Sequence, residues 1–177
     1  QPGPIWAGQT PASIQAGTQP LLLNAYLAGY AEKLHQSAAK FNFPSRPAVI
    51  DLSGRFPGSV YALGGLTPGT PWIVAGYPGS QDFFSVALAK ISCEQLAQTL
   101  LLWEADPVVP PLDPSVLRLA GLDAEQDFEA VSTLPFPYYQ EDQFLFFRIH
   151  ILLKPRQPPF EMYRSCLAAR GQPAPET

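Results

Sequence analysis

Leu23, Tyr26, Leu27, Tyr30, Leu34 and Phe41 recur at spacings of three and four, while Glu32, Lys33, Gln36 and Lys40 occupy the other side. That period predicts an amphipathic helix. Thr18 is its expected cap, with Pro20 tolerated in the first turn and Pro44 beyond its end. Short β-rich apolar runs at 48–52, 60–63, 72–75 and 99–104 predict strands. A helix is expected from about Ser80, with Asp82 in its first turn complementing the dipole and Phe83, Phe84, Val86, Ala87 and Leu88 along it. Ser92 and Gln95 have capping-box spacing and predict a second short helix. Asp113 is placed to cap a helix over 115–119, closed by Gly121. Residues 128–134 and 143–153 predict two final strands around a proline–aromatic turn at 135–139, and 161–170 a terminal helix. In the last strand Leu145, Phe147, Ile149, Ile151 and Leu153 form a wholly apolar set, which alternation assigns to the core. Phe144, Phe146, Arg148, His150 and Leu152 are assigned to an edge or partner surface.

This order predicts an α/β fold: an open mixed sheet with parallel core strands, helices on its faces and an antiparallel hairpin at one edge. The chain has 177 residues, and one domain is expected over 1–177. Residues 1–17 read as an extended lead-in and 171–177 as a flexible tail. The 21 prolines cluster between predicted elements and mark ordered connections rather than disorder.

Charged residues make up 15% of the chain and the net charge is −4, with no basic cluster. Charge-driven binding to nucleic acid or to an anionic membrane surface is therefore not expected. No run approaches the roughly 20 apolar residues that span a bilayer. Met162 is the only methionine, so the chain reads as a processed product or a piece of something longer.

Cys93 and Cys166 leave two readings open. In a cytosolic enzyme such cysteines are usually free and buried; in an exported domain they are more often paired. Pairing would close a long loop and contribute about 4 kcal/mol. Their spacing excludes a CxxC redox site, and with His35 and His150 alone they make no zinc quartet.

Candidate chemistry gathers in two glycine–proline loops, each following an expected strand end, where open α/β sheets collect ligands. The first offers Asp51, Ser53 and Arg55 within five residues. Arg55 suits a bidentate grip on phosphate or carboxylate; the plain alternative is a tight turn with Asp51 and Arg55 paired. The second offers Tyr77 and Ser80 at the mouth of a helix, with Ser80 alternatively a simple N-cap. Neither loop has the spacing of a Walker loop, a dinucleotide fingerprint or a nucleophile elbow, so no cofactor is expected. His35 and His150 lack a neighbouring acid and nucleophile and read as structural. Glu125, Asp127 and Glu129 read as a solvated turn, and Phe136, Tyr138 and Tyr139 as packing residues rather than a sugar-stacking surface.

Taken in order, AVIDLSGRFPGSVYALG (48–64), PWIVAGYPGS (71–80), Cys93, an apolar strand and GLDAEQDFE (121–129) resemble the soluble C-terminal domain of bacterial polytopic membrane glycosyltransferases of the polyprenyl-phosphate-sugar type. The resemblance covers about residues 20–156. It implies an extracytoplasmic domain, periplasmic or at the cell surface, tethered through a membrane part outside this chain. It also favours the Cys93–Cys166 disulfide. Catalytic carboxylates in such enzymes lie between membrane spans, so no catalytic residue is carried over. The expected function is then non-catalytic: binding or positioning an envelope glycan, or the parent membrane domain as partner. Two other readings compete. One is a small α/β enzyme acting on an anionic or sugar substrate at the 51–58 and 76–80 loops. The other is an interaction module that uses the aromatic last strand as an exposed edge.

Overall fold

A computed structural model describes residues 12–16, 19–40, 47–53, 57–70, 75–105, 112–139 and 145–173. Arg55, residues 72–74 of the expected strand and the outer parts of the lead-in and tail lie outside them.

Residues 19–23 do not open a helix. β1 (Ala12–Ala16) and β2 (Gln19–Leu23) pair antiparallel as a separate hairpin. The helix α1 (Ala25–Ala39) begins one residue after Asn24. Asn24 is extended, and its Oδ1 accepts from the Leu27 N–H at 3.0 Å. That bond satisfies one of the orphan amides of the first turn, so the cap is Asn24 rather than Thr18. Leu23 and Leu27 fit the helical period equally well, which hid the boundary between them.

The main sheet has the order β3 (Ala48–Asp51), β4 (Thr99–Glu104), β6 (Leu145–Pro155), β5 (Phe128–Tyr139). β3 and β4 run parallel, and the remaining pairs are antiparallel. The sheet is therefore mixed and open, with the β5–β6 hairpin at one side. The expected strand at 60–63 is instead the end of a helix, α2 (Pro57–Ala62). Val60, Ala62 and Leu63 are buried among α1 residues there, and Pro57 suits a first helical turn. The outer edge of β3 is met by Leu66, whose N–H donates to Pro47 O and whose carbonyl accepts from Val49 N, both at 2.9 Å. Ala75, expected to end a strand, is not in one.

Alternation along β3 and β4 divides the core in two. Val49, Leu100 and Leu102 join Tyr30, Ala31, Leu34, Leu134 and Leu152 beneath α1 and α2. Ile50, Leu52 and Leu101 join a second cluster on the opposite face. That layer is built by α3 (Ser80–Ala89), α4 (Cys93–Leu96), a 3₁₀ segment (Pro114–Ala120) and α5 (Pro159–Ala169). Here the expected local signals hold. Ser92 Oγ accepts from Gln95 N–H at 3.3 Å. Asp113 Oδ1 accepts from Ser115 N–H at 2.7 Å, and Gly121 ends the segment at φ 80°. The helix-like segment after Asp113 is 3₁₀ rather than α, however.

The faces of β6 differ from those read from alternation, although Leu153 of the apolar set does pack against the second cluster. Arg148, His150 and Leu152 are buried, whereas Phe147 and Ile149 are exposed. The polar pair is buried because neighbouring elements supply partners, which the strand's own hydropathy cannot reveal. Residues 135–139 are not a turn either; they extend β5 to Tyr139. β6 is paired on both sides, so the last strand is no edge; among the described residues the outer strand of the hairpin is β5, which carries Pro135 and Pro137.

Candidate functional site

Several polar side chains converge between the sheet and the α1–α2 layer, at the carboxyl ends of β3 and β4. Asp51 closes β3 and Glu104 closes β4. Arg148 and His150 come from β6, Tyr30 from α1 and Ser59 from α2. All six are buried, and His150 and Ser53, just past β3, are 0% exposed.

Among the described residues their hydrogen bonds fall into three sets. The Tyr30 hydroxyl lies 3.1 Å from Ser59 Oγ and 2.8 Å from His150 Nδ1. His150 stacks on Phe136, with centroids 4.5 Å apart and planes at 10°, while Tyr30 meets both rings edge-on. Arg148 Nη1 donates to Glu104 Oε1 at 2.6 Å. Asp51 Oδ1 accepts from the Ser53 N–H at 2.9 Å and from the Ser53 hydroxyl at 2.6 Å. Burial holds His150 neutral by pushing its pKa down to about 4, and the Arg148 guanidinium adds to the effect. Burial also raises the Tyr30 hydroxyl well above the usual tyrosine range; the Ser59 bond opposes this and the Asp51 charge adds to it. At neutral pH the group is thus a neutral Tyr–His pair beside a buried ion pair.

Chemically this arrangement holds protons in place. Burial favours the uncharged form of both the tyrosine and the imidazole at neutral pH. The ion pair orients Arg148 across the β4–β6 ladder, and breaking it would leave a buried charge. The signals missed in the sequence were the acid ending the apolar run LLLWE at Glu104, the phase of Tyr30 on its helix, and the Arg148–His150 alternation read onto the wrong face.

The expected loop residues divide between layers. Asp51 and Ser53 belong to the polar group under α1. Ser80 opens α3, which packs through Phe84 and Leu88 into the opposite cluster. Ser80 is not the cap: Gly79, at φ 80°, holds that position, and the Ser80 N–H donates to Tyr77 O at 3.1 Å. Tyr77 is 45% exposed. Arg55 lies outside the described residues, so its expected grip is not seen.

A groove of about 640 Å³ opens beside α3. Gly69 and Thr70 line one part, and Asp82, Phe83, Val86, Lys90, Ile91 and Gln95 the rest. Phe83 is 56% exposed and meets the buried Phe84 edge-on, with centroids 5.1 Å apart.

Cys93 and Cys166 form a disulfide joining α4 to α5, with Cα atoms 5.6 Å apart. Arg170 strengthens the same junction by donating to Ala120 O at 2.9 Å and Ile91 O at 2.8 Å. Both cysteines are buried. Among the described residues no cluster of His, Cys, Asp or Glu suits a metal ion, and no helix is long and apolar enough to cross a membrane. No family model, curated protein or solved structure matches this chain.

Proposed function

We propose that this is a non-catalytic, disulfide-stapled domain of a membrane-associated cell-envelope protein, working outside the cytoplasm to bind or position a glycan or a partner. The observation that carries the reading is the buried Cys93–Cys166 bridge, since such bonds persist in oxidising compartments. The burial of the titratable candidates supports it. Tyr30, His150, Glu104 and Arg148 bond among themselves under α1, while the open groove beside α3 has the form of a binding surface rather than of a reaction centre. The resemblance to glycosyltransferase C-terminal domains points the same way. The second reading is a small α/β enzyme acting on an anionic or sugar substrate through Asp51, Ser53, Arg55, Tyr77 and Ser80; it has less support, because the Asp51 carboxylate is buried and taken up by the Ser53 N–H and hydroxyl.

The test is thiol trapping of the protein in its native compartment, followed by non-reducing mass spectrometry. A single Cys93–Cys166 cross-linked species is expected. Two alkylated thiols would overturn the reading.

A further inference from the structure

We propose that Arg170 latches α5 over the Cys93–Cys166 bridge and so sets how readily thiols reach it. The inference does not depend on what the domain binds. Cys93 is 4% exposed and Cys166 0%, so neither sulfur is open to attack while the junction is closed. Exchange therefore waits for α4 and α5 to part.

The latch is built from the end of α5. Gly171 sits at φ 65°, its N–H donates to Ala168 O at 3.0 Å, and the Gln172 N–H donates to Leu167 O at 2.9 Å. This pair of bonds closes the last turn and fixes the backbone of Arg170, the residue before the glycine. The Arg170 side chain reaches away from its own helix. Its Nε donates to Ala120 O, at the end of the 3₁₀ segment, and its Nη1 to Ile91 O, between α3 and α4. Both acceptors lie where a helical segment has ended, so no following turn supplies their donor. A guanidinium presents several donors in one rigid fork, and a single side chain thus ties three elements together.

These contacts run beside the covalent one. Ile91 stands two residues before Cys93 and Arg170 four after Cys166, so the bond from Arg170 to Ile91 parallels the bridge one turn further along α5. A Cβ built on Gly121 would lie 3.4 Å from Cys166 Sγ and 3.2 Å from Arg170 Cγ. The sulfur and the arginine stem therefore rest against the same glycine. Parting α5 from this junction breaks two hydrogen bonds from a charged donor and strips the carbonyls of two buried residues. Each such bond shifts an opening equilibrium by about tenfold.

The gated step is thiol–disulfide exchange. A reductant thiolate bonds to one bridge sulfur, and the other cysteine leaves as a thiolate that takes a proton from water. A second reductant thiol then resolves the mixed disulfide, so the bridge is reduced to two thiols and the reductant is oxidised to its own disulfide.

The probe is excess dithiothreitol near pH 8 acting on the oxidised chain, with alkylation and mass spectrometry following loss of the bridge. The folded chain should be reduced at least about a hundredfold more slowly than the same chain in guanidinium chloride. Arg170→Met keeps an apolar stem and removes the donors. It should speed reduction of the folded chain by about tenfold or more and leave the rate in guanidinium chloride unchanged. Val49→Ala, in the cluster beneath α1, weakens the fold away from the junction and should stay within about threefold of the parent. Should Arg170→Met fail to fold, Arg170→Lys carries the comparison with an expected acceleration of about threefold or more. The proposal falls if the folded chain is reduced within about tenfold of the unfolded rate, or if the Arg170 variant is reduced as slowly as the parent. It also falls if Val49→Ala accelerates the reaction as much, which would make global unfolding the route. Free thiols in the native compartment would overturn the proposed function and leave these rates untouched, so the two readings fail separately.

Discussion

His150 is neutral because its surroundings exclude water, and this makes stability depend on pH in a defined sense. The imidazole titrates near 6.5 in an unfolded chain and at about 4 in the folded one. As pH falls below about 6.5, the unfolded chain takes up the proton first. The stabilising contribution, on the order of 3 kcal/mol, is complete above pH 6.5 and is lost as pH falls to about 4. Urea unfolding between pH 7.5 and 4.5 should show this decline. His150→Leu should be less stable at pH 7.5, because Tyr30 loses its partner, but its pH profile over this window should be flatter. An equally steep profile in the variant would assign the effect to other groups. The carboxylates of Asp113 and Glu129 are held below their usual range by the Ser115 bonds and by Lys154 respectively, so their contributions begin to be lost only near the acid end of this window.

At the level of elements, what could be read in the sequence followed how local the determining interaction was. The 3₁₀ segment with Asp113 and Gly121, the Ser92–Gln95 cap and α5 all rest on bonds within a few residues, and all were legible. The start of α1 was misplaced by six residues, Thr18 for Asn24; the leucines at 21–23 suit a strand or a helix, and only pairing with β1 decides. The misreading of α2 as a strand has the same origin, since Val60 and Leu63 look β-like until α1 packs over them. The faces of β6 were not legible, because Glu104 lies 44 residues from Arg148 and Tyr30 lies 120 from His150. The candidate site was legible only as loop positions: Asp51 and Ser53 were found, but their partners were not.

Gly121 offers a test of the local signals. It ends the 3₁₀ segment at φ +80°, and a Cβ there would lie 2.9 Å from the Cys166 carbonyl. Gly121→Ala should cost about 2 kcal/mol or more, from left-handed strain together with displacement of α5. Chemical denaturation measures this directly, and a loss within about 0.5 kcal/mol of zero would contradict the tight α5 approach.

On the scale of the molecule, both layers pack on the sheet through apolar clusters, to which the disulfide adds a covalent link between α4 and α5 on one face and the buried polar group adds hydrogen bonds on the other. Removing the bridge with Cys93→Ala and Cys166→Ala should lower stability by about 4 kcal/mol, the loop-closure value for a separation of 73 residues. Amide exchange should report the loss first in α4 and α5, whereas Tyr30, Leu34 and β3 keep their protection relative to global unfolding. Uniform loss across both layers would show that they fold as one unit and not as separable ones.

The bridge has a mechanical consequence as well. Tension applied to the chain beyond residue 166 passes through sulfur to residue 93 and bypasses β4, β5 and β6 altogether. A span of 73 residues, roughly 250 Å of extensible chain, is withheld from any pull while the bond is intact. An anchor on either side would then feel a short, stiff tether whose reach lengthens abruptly on reduction.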